Sequence, residues 1–340
     1  MKIVMADIGV PFDGASLRAG PLGGAESAFV ELAEAFATRG HEVFAYAAND
    51  RASETCGVSW RPVNQGLPEE ADLYIANRSW KLLSGVAKAR KRLFWIHNPA
   101  DYLLKLRYLA RMLYFRPVLV FSGDYHASTL PRWVPTGGRA VIPLGISELF
   151  RTVIPASSPP PPRALFVSNP LRGLVWLLDV WERLILPRSP AAELHLYAGP
   201  AVYAGGSKHG TAMQAVLDRA KHTPGVILQA PVGKAELAGH FASARVMLYG
   251  GDPGETYCLA VGEAQAAGLP CVLRPIGALP ERIIDGRTGF LAADDADFAN
   301  QATRLLGDDV LWSTHQAAAL ATQRARGWGQ VAAEFEALAA

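Results

Sequence analysis

Short apolar runs separated by helix-length periodic stretches organise the first half of the chain. Lys2–Asp7 is a compact apolar run ending in an acid, as a buried first strand would be. A glycine-containing loop follows (Asp13–Ser16, then Gly23–Gly24) and opens onto a helical pattern from about Ala25 to Arg39, closed by Gly40. Glu42–Ala47, Leu73–Ala76, Leu93–His97, Val118–Ser122 and Ala140–Leu144 read as further strands. Strands spaced by helices of this length predict a parallel sheet covered on both faces.

The pattern breaks at Ile154–Arg163, which reads IPASSPPPPR and favours a stiff extended segment. It then resumes. Strands are expected at Ala164–Ser168, Glu193–Ala198, Gly225–Leu228, Arg245–Tyr249 and Pro270–Arg274. Helices are expected at Leu174–Leu186, Thr211–His222, Lys234–Ser243, Tyr257–Ala267 and Phe298–Leu306. Gly327–Ala340, with Trp328, Val331, Phe335 and Leu338 at helical spacing, closes the chain. The expected fold is α/β: two Rossmann-like, doubly wound domains (1–152 and 164–322) joined by a hinge at 153–163 and facing across a cleft. Ligands of such sheets bind at the carboxyl ends of the strands.

Composition adds two things. With 340 residues, 50% hydrophobic and 19% charged, the chain can bury two cores. Its net charge is only +2, yet Arg78–Arg139 holds twelve Lys or Arg against Asp101 and Asp124. Inside that stretch Asp101–Arg116 reads DYLLKLRYLARMLYFR, a basic amphipathic helix with Lys105, Arg107, Arg111 and Arg116. Such a helix either packs on a core with solvated basic edges or lies on an anionic membrane surface, and both readings stay open. No nucleic-acid reading motif accompanies the charge, so nucleic acid is not expected as a partner. Cys56, Cys258 and Cys271 form no metal-ligand spacing and fit a reducing compartment. The start, MKIVMADIGV, is too short for a signal-peptide core, and no apolar run is long enough to cross a bilayer. The expectation is a cytoplasmic protein, with peripheral contact at the inner face of the membrane through 78–139 left open.

The sharpest motif is Gly254–Pro270, GETYCLAVGEAQAAGLP. Glu255 and Glu263 are eight residues apart, which on a continuous helix leaves them about 80° apart around the axis, able to look toward one ligand. The helix start offers free N–H groups to a phosphate, and a carboxylate within the helix can accept from ribose or sugar hydroxyls. Taken alone, Glu255 could be an acid favouring the helix dipole and Glu263 a solvated helix residue. The stretch, however, closely resembles the E-x7-E signature of GT4, the large retaining GT-B family of group 1 glycosyltransferases. Gly277–Glu281 and Asp285–Leu291 resemble the continuation of that signature. The resemblance implies that Glu263 holds the ribose, that Glu255 touches the donor sugar, and that Gly254 and the backbone of Thr256, Tyr257 and Cys258 receive the diphosphate.

Upstream, Ser168–Leu174 (SNPLRGL) resembles the family's phosphate-contacting loop, with Asn169, Arg172 and Gly173 at the donor. A departing diphosphate calls for a placed cation, and the fork of Arg172 can bind two of its oxygens. The loop departs from the commoner pattern of two cations, and Lys208 is the candidate for the second. Gly23–Gly24 resembles the family's glycine-rich loop after the first strand; bottom-up, the paired glycines permit close backbone approach to a ligand. His97 stands at a strand end where the family often has a His near the donor sugar. Ile142–Ile146 with Phe150 resembles the segment before the interdomain hinge. Trp328 resembles the helix that returns to the first domain, here 323–340.

Asp295–Asp297 is formally a DxD, but acids at a helix start are ordinary caps, so no metal site is assigned. The absence of GxGxxG after either first strand argues against a nicotinamide or flavin enzyme. The resemblance implies sugar transfer from a UDP- or GDP-sugar to a sugar or lipid-linked acceptor. Retention of configuration, no metal and no other cofactor are implied with it. A bacterial-type glycan or cell-surface polysaccharide role is a family-level expectation. Two alternatives stand beside this: a non-catalytic sugar-nucleotide or partner-binding module of the same fold, and a GT-B enzyme of another reaction type (inverting transferase, epimerase or phosphorylase-like).

Overall fold

The computed structural model describes residues 1–199 and 207–339, the side chains of 207–209 lying outside the description. The chain forms two compact units, Met1–Gly145 with Arg326–Ala340, and Ile146–Ala325.

The first unit is built on eight strands: β1 (Lys2–Ala6), β2 (Glu42–Ala47), β3 (Ser53–Thr55), β4 (Val58–Pro62), β5 (Glu70–Asn77), β6 (Lys88–Trp95), β7 (Val118–Phe121) and β8 (Gly138–Val141). Their order is β3-β4-β2-β1-β5-β6-β7-β8, parallel throughout except for the β3–β4 hairpin. That hairpin is not expected from the sequence. Its turn is made by Cys56 and Gly57, both at positive φ, a two-residue turn of the right hand for a hairpin without the usual Asn-Gly or Asp-Gly signal. Apolar residues of β1, β5, β6 and β7 bury Val4, Tyr74, Phe94 and Phe121 in one core, which Tyr108 and Met112 of the Leu106–Phe115 helix also enter.

The closing helix, Trp328–Ala337, belongs to this first unit. Its Phe335 meets Phe36 and Trp95 edge-on, and its Glu336 pairs with Arg39 and His41. Burial of Val331 and Phe335 supplies most of the anchoring, because exposed ion pairs contribute little.

The second unit holds β9 (Arg163–Phe166), β10 (Glu193–Tyr197), β11 (Val226–Gln229), β12 (Val246–Tyr249), β13 (Cys271–Leu273) and β14 (Gly289–Leu291). They form a parallel sheet in the order β11-β10-β9-β12-β13-β14. The three-residue β14 and the helix Asp309–Gln323 go beyond the sequence expectation. The units divide at Gly145, ahead of the proline run. That run lies along the second unit instead of hanging free between units. Carbonyls of Val153, Ala156 and Pro160 accept from Arg324, Gln316 and Arg245.

In both sheets the chain starts near the middle and winds to one side before crossing to the other. The switch falls between β1 and β5 in the first unit and between β9 and β12 in the second. Crevices form at the carboxyl ends of such strand pairs.

Candidate functional site

The second unit gathers its candidate residues at the β9–β12 switch. The loop after β9 turns through Asn169, whose side chain accepts from the Leu171 N–H and whose carbonyl accepts from the Arg172 N–H. Gly173 then enters the Leu174–Val180 helix at φ +79, with the Gly251 carbonyl 2.8 Å from where a Cβ would stand. Only glycine meets both demands. This brings the Arg172 guanidinium to Glu255, 83 residues away, with Nη1 3.3 and 3.2 Å from the two carboxylate oxygens.

Glu255 is buried at 6% exposure and also accepts from the Tyr249 hydroxyl at 2.6 Å, Tyr249 being the last residue of β12. The Ser168 hydroxyl donates to Tyr249 at 3.3 Å. Burial works most strongly against the Arg172 charge, but Glu255 together with Tyr249, Cys258 and Asp252 outweighs it, so its pKa lies above the ordinary value. Burial drives the Tyr249 phenol upward, as do the neighbouring Cys258 and Glu255, so it is a neutral donor. Burial likewise raises the Cys258 thiol, aided by Glu255. Cys258 is therefore a thiol, not a nucleophile.

The motif helix differs from the sequence expectation. It runs Leu259–Ala266, not from Tyr257, because Cys258 takes a left-handed conformation at φ 64. Glu255 therefore sits in the loop before the helix, and the two acids are not related by helical rotation. The helix start has no side-chain cap and no acid in its first turn, leaving N–H groups for an anion. Gly254 donates its N–H to Asp252. Thr256 and Tyr257 are buried, the latter beneath the Arg282 guanidinium at 3.9 Å.

Glu263, instead of being solvated, is 5% exposed and forms an ion pair with the equally buried Lys234. Burial raises its pKa and Lys234 opposes the rise. The Lys208 side chain lies outside the described residues. Asp295 accepts from the Trp176 indole, and Asp297 accepts from the Ala293 N–H and the Gln301 amide, so the DxD residues serve local structure.

In the first unit, the β1–β5 switch holds a separate ionic cluster. Arg78 bonds Asp7 through Nε and Nη2 (2.8 and 2.7 Å) and Glu26 through Nη1 (2.5 Å). Asp7 also accepts from Asn77 at 2.6 Å, and Asn77 Oδ1 meets His97 Nε2 at 2.9 Å. Since the Asn77 amide N–H is given to Asp7, its oxygen is the acceptor for His97. Burial holds His97 well below its usual pKa, helped by Arg78 and His126. Neutral His97 therefore carries its proton on Nε2. Gly23 precedes the Gly24–Thr38 helix, and the Glu26 carboxylate fills the space a side chain at Gly23 would need. That is a structural reason for glycine at this position, alongside the ligand approach expected for Gly23–Gly24.

Sequence reasoning missed Tyr249, Lys234, Asp7, Asn77 and Arg78. Three of these could have been flagged as polar residues at the strand ends of the switch points: Tyr249 and Asn77 close their strands, and Asp7 directly follows the first. Nothing in the sequence around Lys234 marks it.

Comparison with known proteins fits this geometry. The sequence profile described as "Glycosyl transferases group 1" matches residues 161–308, the part that carries both acids and Arg172. The D-inositol 3-phosphate glycosyltransferase of Streptomyces scabiei is 39% identical over 109 residues, covering 30% of this chain and 23% of that protein. The match thus spans less than a quarter of that relative's length. Sucrose-phosphate synthase from Thermosynechococcus elongatus superposes with a TM-score of 0.76 at 18% identity, covering 99% of this chain and 98% of that one. HepE from Anabaena, in complex with UDP and glucose, superposes with a TM-score of 0.70 at 14% identity, covering 99% of both chains. The chain thus has the GT-B fold, and its residues 161–308 match the group 1 glycosyl transferase profile.

Proposed function

We propose that the chain is a glycosyltransferase that moves a sugar from a UDP- or GDP-sugar to a sugar or lipid-linked acceptor. In this reading transfer proceeds with retention and without a metal, in bacterial-type glycan or cell-surface polysaccharide synthesis. The observation that carries it is the convergence of Arg172, Glu255 and an uncapped helix start at the switch point of the second sheet. Arg172 and the helix N-terminus are placed to neutralise the leaving diphosphate, which needs fixed positive charge as the glycosidic bond breaks. Glu255 would accept from a donor-sugar hydroxyl, and Glu263 from the ribose hydroxyls. HepE's complex with UDP and glucose supports the donor class.

A thermal-shift panel of UDP, GDP, ADP, TDP and CMP, run on the wild type and on Glu263→Ala, tests the donor site. One nucleoside diphosphate should raise the wild-type melting temperature by several degrees at about a hundred times its Kd, and Glu263→Ala should abolish most of that shift. No shift from any of the five at millimolar concentration would remove the basis of the reading.

The lipid-linked acceptor draws support from the first unit. Arg78 and Lys88 are taken up by Asp7, Glu26, Glu69 and Glu70, so part of the basic stretch is neutralised internally. What remains outward is an array in which Leu106 (85% exposed), Leu113, Tyr114 and Trp133 stand among Lys105, Arg107, Arg116 and Arg132. Apolar and aromatic tips among cations suit an anionic bilayer surface. The protein should sediment with vesicles containing anionic lipid and not with uncharged ones, and Leu113→Asp with Tyr114→Asp should release it. Equal sedimentation with both vesicle types would discard this contact.

A further inference from the structure

The ion pair between Lys234 and Glu263 is buried more deeply than its stabilising value explains. Lys234 opens the Lys234–Ala242 helix at 8% exposure, and Glu263 is 5% exposed. The Lys234 ammonium also lies 5.5 Å from the centre of the Phe150 ring, which packs on Phe241. Two charges in such surroundings gain little over an apolar pair of the same size, since each gives up its hydration. One carboxylate oxygen, Oε1, takes the ammonium, and Oε2 stands outside that contact.

We propose that Lys234 is a positioning residue for the nucleotide: its ammonium keeps Glu263 ionised and oriented so that the carboxylate can accept from both ribose hydroxyls. The proposal rests on the reading of Glu263 as the ribose contact. An ionised carboxylate offers only acceptors, whereas the acid turns one oxygen into a donor and weakens its grip on a pair of hydroxyls. Burial alone would push Glu263 toward the acid, and Lys234 is the group that opposes it. Charged and titratable groups on the elements packed around the motif helix are otherwise engaged. Glu148 pairs with Arg151, Glu236 with His240, and Asp309 with Arg245. The His315 ring bonds the Leu311 carbonyl, the Cys271 thiol the Leu269 carbonyl, and Arg324 the Ala266 carbonyl.

The test is titration calorimetry of the full chain with UDP, GDP and ADP from about pH 5.5 to about pH 8.5, comparing wild type with Lys234→Met. The ratio of the two Kd values cancels the titration of the diphosphate itself. Lys234→Met should bind about tenfold more weakly at the acid end. The gap should narrow as pH rises through the raised pKa of Glu263, because ionisation restores the lost acceptor. Lys234→Arg should stay within about threefold of wild type, and Lys234→Met should add no loss in a Glu263→Gln background. If Lys234→Met does not fold, Lys234→Gln carries the same comparison. A loss that is constant with pH and persists in the Glu263→Gln background would overturn the proposal in favour of a structural role, as would unchanged binding. Failure of a different kind is distinguishable: wild type binding none of the three nucleotides, or Glu263→Gln binding as wild type, defeats the ribose reading itself.

Discussion

Arg172→Ala is expected to lower the rate of sugar transfer by about a thousandfold, with a loss of only about tenfold in affinity for the nucleoside diphosphate. The asymmetry follows from when the charge matters. On the proposed reading, the ground-state diphosphate is shared between sugar and nucleoside and would also be met by the N–H groups of the uncapped motif helix. As the glycosidic bond breaks, one more negative charge develops on the leaving oxygen, and on this reading the guanidinium would be the cation that meets it. Arg172 is held for this by Glu255, whose contacts at 3.2 and 3.3 Å are loose enough to be exchanged for phosphate oxygens. Arg172→Lys keeps the charge but loses the fork, and should fall about tenfold to a hundredfold. The assay is turnover of whichever sugar nucleotide the binding panel selects, with donor hydrolysis as readout where the acceptor is unknown. Melting temperatures serve as a control, since among the described side chains Glu255 would keep Tyr249 as its partner in the variant. A turnover number within threefold of wild type would remove Arg172 from the chemistry.

The sequence made this site legible to different depths. The parallel strands were readable because a strand buried on both faces is a continuous apolar run, as in Ile3–Ala6 or Val246–Tyr249. Glu255 and Glu263 stood out because their spacing is local and resembles a known signature, and Arg172 because its own loop, Ser168–Leu174, resembles another part of that family. The three-dimensional partners were not. Tyr249 reaches Glu255 across a glycine loop, and Lys234 reaches Glu263 from a helix that reads KAELAGHFA, an ordinary amphipathic start. The burial of Glu263 was invisible for the same reason, since its depth is set by Phe150 and Lys234 and not by its own neighbours in sequence. Helical rotation also misled. Periodicity sees the helix but not the left-handed Cys258 that delays its start, and so overstates how closely the two acids are related. In the first unit, the apolar pattern ended the fifth strand at Ala76, one residue short of the Asn77 and Arg78 that carry its polar cluster.

That cluster leads to the largest expected effect on stability. Asp7→Asn should destabilise the first unit by about 3 kcal/mol. Asp7 is fully buried and its carboxylate accepts from Gly9, Asn77 and two nitrogens of Arg78. The amide is nearly the same size, so the loss is electrostatic. Arg78 would keep Glu26 as its carboxylate partner and at most one bond to the amide oxygen, and the new N–H₂ would face donors already present. Arg78 itself sits at φ 58, a left-handed conformation that costs a non-glycine residue about 1 kcal/mol and is sustained by these bonds. For a unit of this size the melting transition should fall by about 8 °C. Because the chain has two units, the shift should appear in one calorimetric transition and not in both. Removing the charge on both sides, with Asp7→Asn and Arg78→Met together, should be less damaging than the sum of the two single changes, since no half-buried guanidinium is left short of a partner. A melting temperature for Asp7→Asn within about 1 °C of wild type would mean that water or Glu26 already satisfies Arg78, and that the carboxylate at the end of the first strand is dispensable to the fold.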